Sequence, residues 1–292
     1  MGIIRIATRA SAQARTQAEL VAASLVAAGH DAELVFIETF GDRTQADGVP
    51  LHSIGGQGVF VKEVQRAVLD GRADLAVHSA KDLPTEVADG LRIAAFTQRR
   101  SAADALVGRT LVDLPAGATV ATGSVRRRAQ LRRARPDLEF VELRGNIHTR
   151  LDKVPDGGAI VMAVAALEIL GLTDRIAERL DPAEFVPAVG QGCVAVECRD
   201  GDDRVATALH HIDHEATRRE VVIERAFLAE LGSGCALPVG AYVDGPKLYT
   251  FLAAEASGII VSETIELSGA LDHDVELARG AARSALAHVS GE

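Results

Sequence analysis

Apolar residues in the first part of the chain follow two patterns. Some form short continuous runs, as in a strand buried on both faces, and others recur with a helical repeat. Residues 3–7 read as a strand, and residues 12–28 form an Ala-rich amphipathic helix that Gly29 stops. A strand over 32–38, a helix over 59–69 ending at Gly71, and short strands over 75–78 and 91–95 follow. Alternation of this kind is the grammar of an α/β domain. The pattern then restarts: strand 119–121, helix 125–135, strand 139–143, helix 147–153, a buried strand over 159–163 and a helix through Leu170. Residues 194–197 read as one more strand, whose place suggests that the chain returns to its first lobe. From about 213 the pattern changes to a long helix ending at Leu231. Strands over 239–243, 247–255 and 259–267 follow, separated by turns at Asp244-Gly245 and Ser257-Gly258, and a last helix covers 274–289.

The expected architecture is therefore α/β: two similar lobes and a small α+β C-terminal domain. The boundaries place 1–97 and 192–212 in domain 1, 98–191 in domain 2 and 213–292 in domain 3. Crossovers near 98–101 and 187–191 would make a hinge. The lobes echo each other. Ile6-Ala7-Thr8-Arg9-Ala10-Ser11 in one and Val120-Ala121-Thr122-Gly123-Ser124 in the other each place hydroxyls where a helix begins. Helix N-termini present unpaired N–H groups and partial positive charge, so each is a potential anion seat facing a common cleft.

Composition narrows the function. A length of 292 residues calls for more than one domain. A net charge of -10 makes a poor general partner for a phosphate backbone, and 3% aromatics with no Trp make a poor stacking platform. Nucleic acid is not an expected partner. Cys193, Cys198 and Cys235 are too few and too unpaired for a disulfide framework, which fits a reducing cytosol. No signal peptide or bilayer-spanning run is apparent, so the expected location is the cytoplasm.

Any anion site must then be a local concentration of cations. Arg126-Arg127-Arg128, Arg132-Arg133 and Arg135 cluster at and after a helix start. Cations in a first turn oppose the macrodipole unless an anion binds there, which favours Arg126 and Arg127 as anion ligands and leaves Arg132, Arg133 and Arg135 as surface. Arg9 follows the first strand, and Arg144 and Arg150 bracket a turn entering a helix. Together they point to a ligand with several carboxylates. His78-Ser79-Ala80-Lys81-Asp82-Leu83-Pro84 ends a buried strand, where α/β domains hold ligands. Asp82 reads equally as an acid/base group or as part of a capped loop. Cys235, between Gly234 and Ala236, reads as a presented thiol or, on this evidence alone, more simply as an inert loop cysteine. His210, His211 and His214 lack a third ligand at metal spacing and read as a helix start with Asp213 near the cap, so no metal is expected. Gly55-Gly56-Gln57-Gly58 lacks the ending of a nucleotide-binding P-loop.

In this order the pieces resemble the hydroxymethylbilane synthase (porphobilinogen deaminase) family. The resemblance is carried by Arg5-Ile6-Ala7-Thr8-Arg9, Gly55-Gly56-Gln57-Gly58-Val59-Phe60, the 76–84 segment around Asp82, Arg144-Gly145-Asn146, Pro187-Ala188-Val189-Gly190-Gln191-Gly192 and Gly234-Cys235. It implies two lobes like those of periplasmic binding proteins, a third domain bearing a cofactor cysteine, and a monomer. It implies a dipyrromethane held by Cys235 through a thioether. Four porphobilinogen units are added in turn, each losing ammonia, before water releases the tetrapyrrole. On this resemblance Asp82 is catalytic, and Ser79, Lys81, Thr122, Ser124, Arg126, Arg127 and Arg144 bind the cofactor. Arg9, Ser11, Arg150, Gln191 and Phe60 meet the substrate. The cations suit a growing chain that gains an acetate and a propionate with each pyrrole. Two stretches depart from the family pattern. Ile169 stands where the family usually has Arg, a difference worth ~1.5–3 kcal/mol if a charged hydrogen bond is lost. Gln98-Arg99-Arg100-Ser101-Ala102-Ala103-Asp104 replaces a more acidic, Pro-containing segment. Two other readings remain: a non-enzymatic binder of a small acidic ligand, and an impaired paralogue that binds tetrapyrrole precursors.

Overall fold

The computed structural model describes residues 2–39, 61–232, 237–254 and 258–291. The glycine run at 55–58, Phe60 and Cys235 lie outside the described residues. The chain divides into two compact units, Met1–Arg100 with Cys193–Arg218, and Ser101–Gly192 with Arg219–Glu292.

The first unit is built on β1 (Ile4–Arg9), β2 (Ala32–Ile37), β3 (Leu75–Ser79), β4 (Leu91–Phe96) and β10 (Val194–Arg199), in the order β2-β1-β3-β10-β4. β1 runs parallel to β2 and β3, whereas β10 is antiparallel to both its neighbours. Helices α1 (Ala12–Ala27) and α6 (Asp203–His210) cover one face, where Leu25 and Leu209 pack with Ile6, Val77 and Val196. Helix α2 (Lys62–Leu69) covers the other, where Val64 and Val68 pack with Ala7 and Ala76. Burial on both faces explains why β3 reads as a continuous apolar run rather than an alternating one.

The second unit repeats the design. Its strands are β5 (Asp104–Val107), β6 (Thr119–Ala121), β7 (Glu139–Val141), β8 (Ala159–Ala163) and β9 (Glu178–Arg179), in the order β7-β6-β8-β5-β9. β6 is parallel to β7 and β8, and β5 is antiparallel to β8 and β9. In both sheets the antiparallel member is the strand that follows the chain's passage from the other unit. Helices α3 (Val125–Ala134), α4 (Ile147–Leu151) and α5 (Val164–Ile169) supply the faces, with Leu131 in one core and Ile147 and Leu167 in the other. The echo between the two halves is thus a shared topology, and Ser11 and Ser124 each cap a helix, accepting from Ala14 N–H and Arg127 N–H.

The same unit contains the antiparallel sheet β11 (Val239–Asp244), β12 (Lys247–Ala253) and β13 (Ile260–Glu266). Helices α7 (Glu215–Glu230) and α8 (Leu271–Ser290) bury one of its faces through Ile223, Phe227, Ala278 and Ala282. Among the described residues no helix is long and apolar enough to cross a membrane.

Several elements differ from the pattern reading. β5, β9 and α6 carry no sequence expectation: the strands and the eight-residue α6 are too short for a firm periodic signal. The helix expected from 213 begins at Glu215 because Asp213 serves another purpose, accepting from Phe96 N–H and Arg218 Nε–H. His214 Nδ1 accepts from Thr217 N–H in the first turn. The last helix begins at Leu271, since Asp274 sits inside its first turn and is fully buried. Its carboxylate accepts from the N–H groups of Ser268 and Gly269 and from the Ser268 hydroxyl, and pairs with Arg219. Burial alone would raise the Asp274 carboxyl, but these donors and the guanidinium hold it below its ordinary value.

Gly240 on β11 marks a close approach. A Cβ there would lie 2.8 Å from the carbonyl oxygens of both Val186 and Pro187. Gly240→Ala is expected to destabilise the second unit by ~1–3 kcal/mol through overpacking. Thermal melting of the variant beside the parent measures this, and an unchanged midpoint would mean that the 186–187 segment shifts freely.

Candidate active site

The carboxyl ends of parallel strands form the ligand-facing edge of an α/β sheet. In the first unit that edge carries Arg9 at the end of β1 and Ser11 just beyond it, Ser79 at the end of β3, and Lys81 and Asp82 in the turn that follows. The buried strand ends in a single 3₁₀ turn, Ala80–Asp82. Ala80 is buried and donates its N–H to Cys193 O at 3.0 Å, and buried Leu83 anchors the far side of the turn. Asp82 is left exposed and Lys81 half-buried. Ser79 Oγ is held from α1 by the amides of Gln17, at 3.0 Å, and Gln13, at 3.4 Å. Neither glutamine stands out in the sequence, because a polar residue on an amphipathic helix reads as solvated.

In the second unit the same edge carries Thr122 and Ser124 after β6, and Arg144 after β7. Thr122 Oγ1 accepts from Ser124 N–H, and Ser124 Oγ from Arg127 N–H. Each hydroxyl keeps its own proton to donate to an acceptor. Gly145 adopts φ +122°, and a Cβ there would meet Thr149 at 2.8 Å. The turn therefore closes tightly enough for Asn146 to cap α4 and for Arg150 Nε to donate to Gly145 O at 2.7 Å. Lys153 Nζ donates to Arg144 O.

Arg126 and Arg127 are not on a solvated face. Both are buried in the first turn of α3 and converge on Asp104, the fully buried first residue of β5. Arg126 Nη2 lies 2.7 Å from Asp104 Oδ2, and Arg127 Nη2 lies 2.6 Å from Oδ1. Arg126 Nη1 also donates to Val186 O and Arg127 Nη1 to Val161 O, and the Arg126 guanidinium lies over the Phe185 ring. Gln191 Nε2 also reaches Asp104 Oδ1, at 3.0 Å, and Ala102 O, at 2.7 Å. One carboxylate thus joins α3 to both crossover segments. Burial would raise the Asp104 carboxyl, but the two guanidiniums hold it well below the usual carboxylate range. Burial pushes the Arg126 guanidinium below its ordinary value, against the pull of Asp104. Two cations face one anion at a helix N-terminus, so a net positive charge remains. Asp104 appears in the sequence only as part of an unusual crossover segment, with nothing to mark its role.

Residues 4–207 match the family model described as "porphobilinogen deaminase, dipyromethane cofactor binding domain". Residues 218–277 match the porphobilinogen deaminase C-terminal domain. This chain belongs to the porphobilinogen deaminase family. A porphobilinogen deaminase of Acidothermus cellulolyticus is 45% identical over 276 residues, covering 91% of this chain and 78% of that protein. That of Mycobacterium marinum is 48% identical over 247 residues, covering 83% and 77%. The protein from Syntrophus aciditrophicus is 45% identical over 248 residues, covering 82% and 80%. Porphobilinogen deaminases are transferases of tetrapyrrole synthesis, and a dipyrromethane is the cofactor of the matched domain. The second unit suits such a group chemically. A dipyrromethane bears acetate and propionate side chains, which match in charge the surplus cation at Asp104, Arg126 and Arg127 and the donor hydroxyls of Thr122 and Ser124.

Asp104→Asn leaves two buried guanidiniums facing a neutral amide. Removing one partner of a buried ion pair costs about 3–5 kcal/mol, and the variant is expected to unfold correspondingly earlier in urea at neutral pH. The native carboxyl titrates below its unfolded value of about 3.9. The stabilisation it confers is therefore complete above that value and is lost as pH falls through the lower, native one. Parent and variant should converge as the pH drops below about 4. A gap that persists undiminished in acid would show that the charge of Asp104 is not its source.

Proposed function

We propose that this chain builds hydroxymethylbilane by joining four porphobilinogen molecules head to tail, as a monomer in the cytoplasm, on a dipyrromethane attached through a thioether to Cys235. The observation that carries the site assignment is the local surplus of buried positive charge at the start of α3 in a chain whose net charge is -10. Arg126, Arg127 and Arg144, with Ser79, Lys81, Thr122 and Ser124, bind the carboxylates of the cofactor. Arg9, Ser11, Arg150, Gln191 and Phe60 meet the incoming substrate. When bound, the dipyrromethane supplies the nucleophilic pyrrole at which the chain grows.

The exposed carboxylate of Asp82, on a turn tied down at both ends, is the group for charge and proton handling. Porphobilinogen loses ammonia as its aminomethyl C–N bond breaks, leaving a methylene-pyrrole cation. Asp82 stabilises that cation electrostatically. After the new C–C bond forms, Asp82 assists the departure of the displaced ring proton. Lys81 and the arginines neutralise the carboxylates that accumulate. Ile169, where the family usually has Arg, removes one cation from this set.

Three measurements test the reading. The intact mass of the parent should exceed the chain mass by a two-pyrrole adduct that is missing from Cys235→Ser. A parent that carries no adduct even after incubation with porphobilinogen would contradict the cofactor attachment. Asp82→Asn is expected to keep the adduct and lose turnover by ~10²–10⁴-fold, as removal of an acid/base group does. Ile169→Arg should raise kcat/KM by about tenfold if the lost cation limits substrate binding. No gain would mean that another cation already does this work.

A further inference from the structure

Behind the Lys81–Asp82 turn lies a buried polar cluster that none of the roles above uses. His78 immediately precedes Ser79 on β3, so the two side chains leave the sheet on opposite faces. Ser79 faces α1. His78 faces α2, and its Nε2 lies 3.1 Å from Oε2 of Glu197 on β10. Both side chains are sealed from solvent, at 4% and 1% exposure. Gln65 on α2, also buried, donates Nε2–H to both carboxylate oxygens, at 3.1 and 2.9 Å. Val64, Val68 and Ala76 pack together on the same face of the sheet.

A buried carboxylate costs several kcal/mol of desolvation, and well-packed apolar side chains would fill such a site at least as stably. Here it adjoins the strand end that carries the catalytic turn. Three consecutive residues of that end are contacted from three directions. His78 lies against Glu197 of β10 on the α2 face, at ion-pair distance but without hydrogen-bond geometry, Ser79 is held from the α1 face by Gln13 and Gln17, and Ala80 within the sheet by Cys193 O. Asp82 follows after one more residue, with little backbone freedom left.

We propose that Glu197 is a positioning residue for Asp82, acting through His78 and with Gln65 fixing its carboxylate. This rests on the catalytic role proposed for Asp82. The carboxylate matters because Gln65 donates to both of its oxygens while His78 Nε2 lies against Oε2. In Glu197→Gln an amide N–H would replace one of those oxygens, and one of the contacts would be lost.

The test compares Glu197→Gln and Gln65→Met with the parent in steady-state porphobilinogen consumption, beside intact mass and thermal melting. Misplacing a reacting group by a fraction of an ångström lowers turnover rather than ground-state affinity, so kcat should fall about tenfold in Glu197→Gln and about threefold in Gln65→Met. KM should stay within about twofold, and both variants should keep the two-pyrrole adduct. If Glu197→Gln does not fold, Gln65→Met carries the test, because it leaves the His78–Glu197 pair intact. Unchanged kcat in folded variants overturns the proposal, as does a loss that appears in KM alone or only matches the unfolded fraction. A folded parent that makes no hydroxymethylbilane overturns the functional reading and this proposal with it. An active parent with unaffected variants overturns this proposal alone.

Discussion

A single buried carboxylate, Asp104, organises the anion-facing half of this protein. It opens β5, sits at no solvent exposure, and receives two guanidiniums and one amide. Buried charge is tolerated only when it is paired and hydrogen-bonded, so these groups have one arrangement that satisfies them. That arrangement ties the incoming crossover at Asp104 and the returning one at Gln191 to the first turn of α3. It also leaves one positive charge uncompensated next to a helix N-terminus and two hydroxyls. The group of atoms that braces the fold is therefore the same one to which we assign the cofactor's carboxylates.

The first unit solves a related problem with weaker interactions. Its Ala80–Asp82 turn exposes a carboxylate on a backbone anchored on both sides. The solution is a strand buried on both faces, ended by a single 3₁₀ turn and held by side-chain amides rather than by ion pairs at its surface. Gln17 reaches Ser79, and Gln65 reaches Glu197. Neutral amides hold the Ser79 hydroxyl and the Glu197 carboxylate without adding a charge of their own. Buried cations are concentrated instead in the second unit, at the start of α3. An overall charge of -10 then leaves the cationic patches as the local exceptions to which anions are drawn.

Other buried carboxylates do structural work away from either edge. Glu224 on α7 accepts from the N–H groups of Gly190 and Val243, joining the return segment to the third sheet. Asp74 accepts from Arg5 and lies near Arg199 and Arg204 at the opposite end of the first sheet. Burial raises the Asp74 carboxyl, and Arg5 more than offsets this, so it titrates below its ordinary value. Each stitches together segments distant in sequence, and none adjoins the turn that carries Asp82.

Local signals in the sequence determined a good deal. The apolar runs located eleven of the thirteen strands among the described residues, all but β5 and β9. Ser11 and Ser124 marked two helix starts, and Gly29 marked a helix end. The segments around Asp82, Arg144 and Cys235 sufficed for the family. Such features depend on neighbours within a few residues, through backbone conformation, capping and periodic burial, and so they are written in the chain order itself. The tertiary structure alone decided which polar residues meet. Asp104 finds Arg126 and Arg127 at separations of 22 and 23 residues, Gln17 finds Ser79 at 62, and Gln65 finds Glu197 at 132. It also decided that β5 and β10 insert antiparallel between strands of otherwise parallel sheets. A four-residue run such as β5 carries too little periodicity to announce itself. A buried acid is indistinguishable from a surface one until the cations that compensate it are brought alongside.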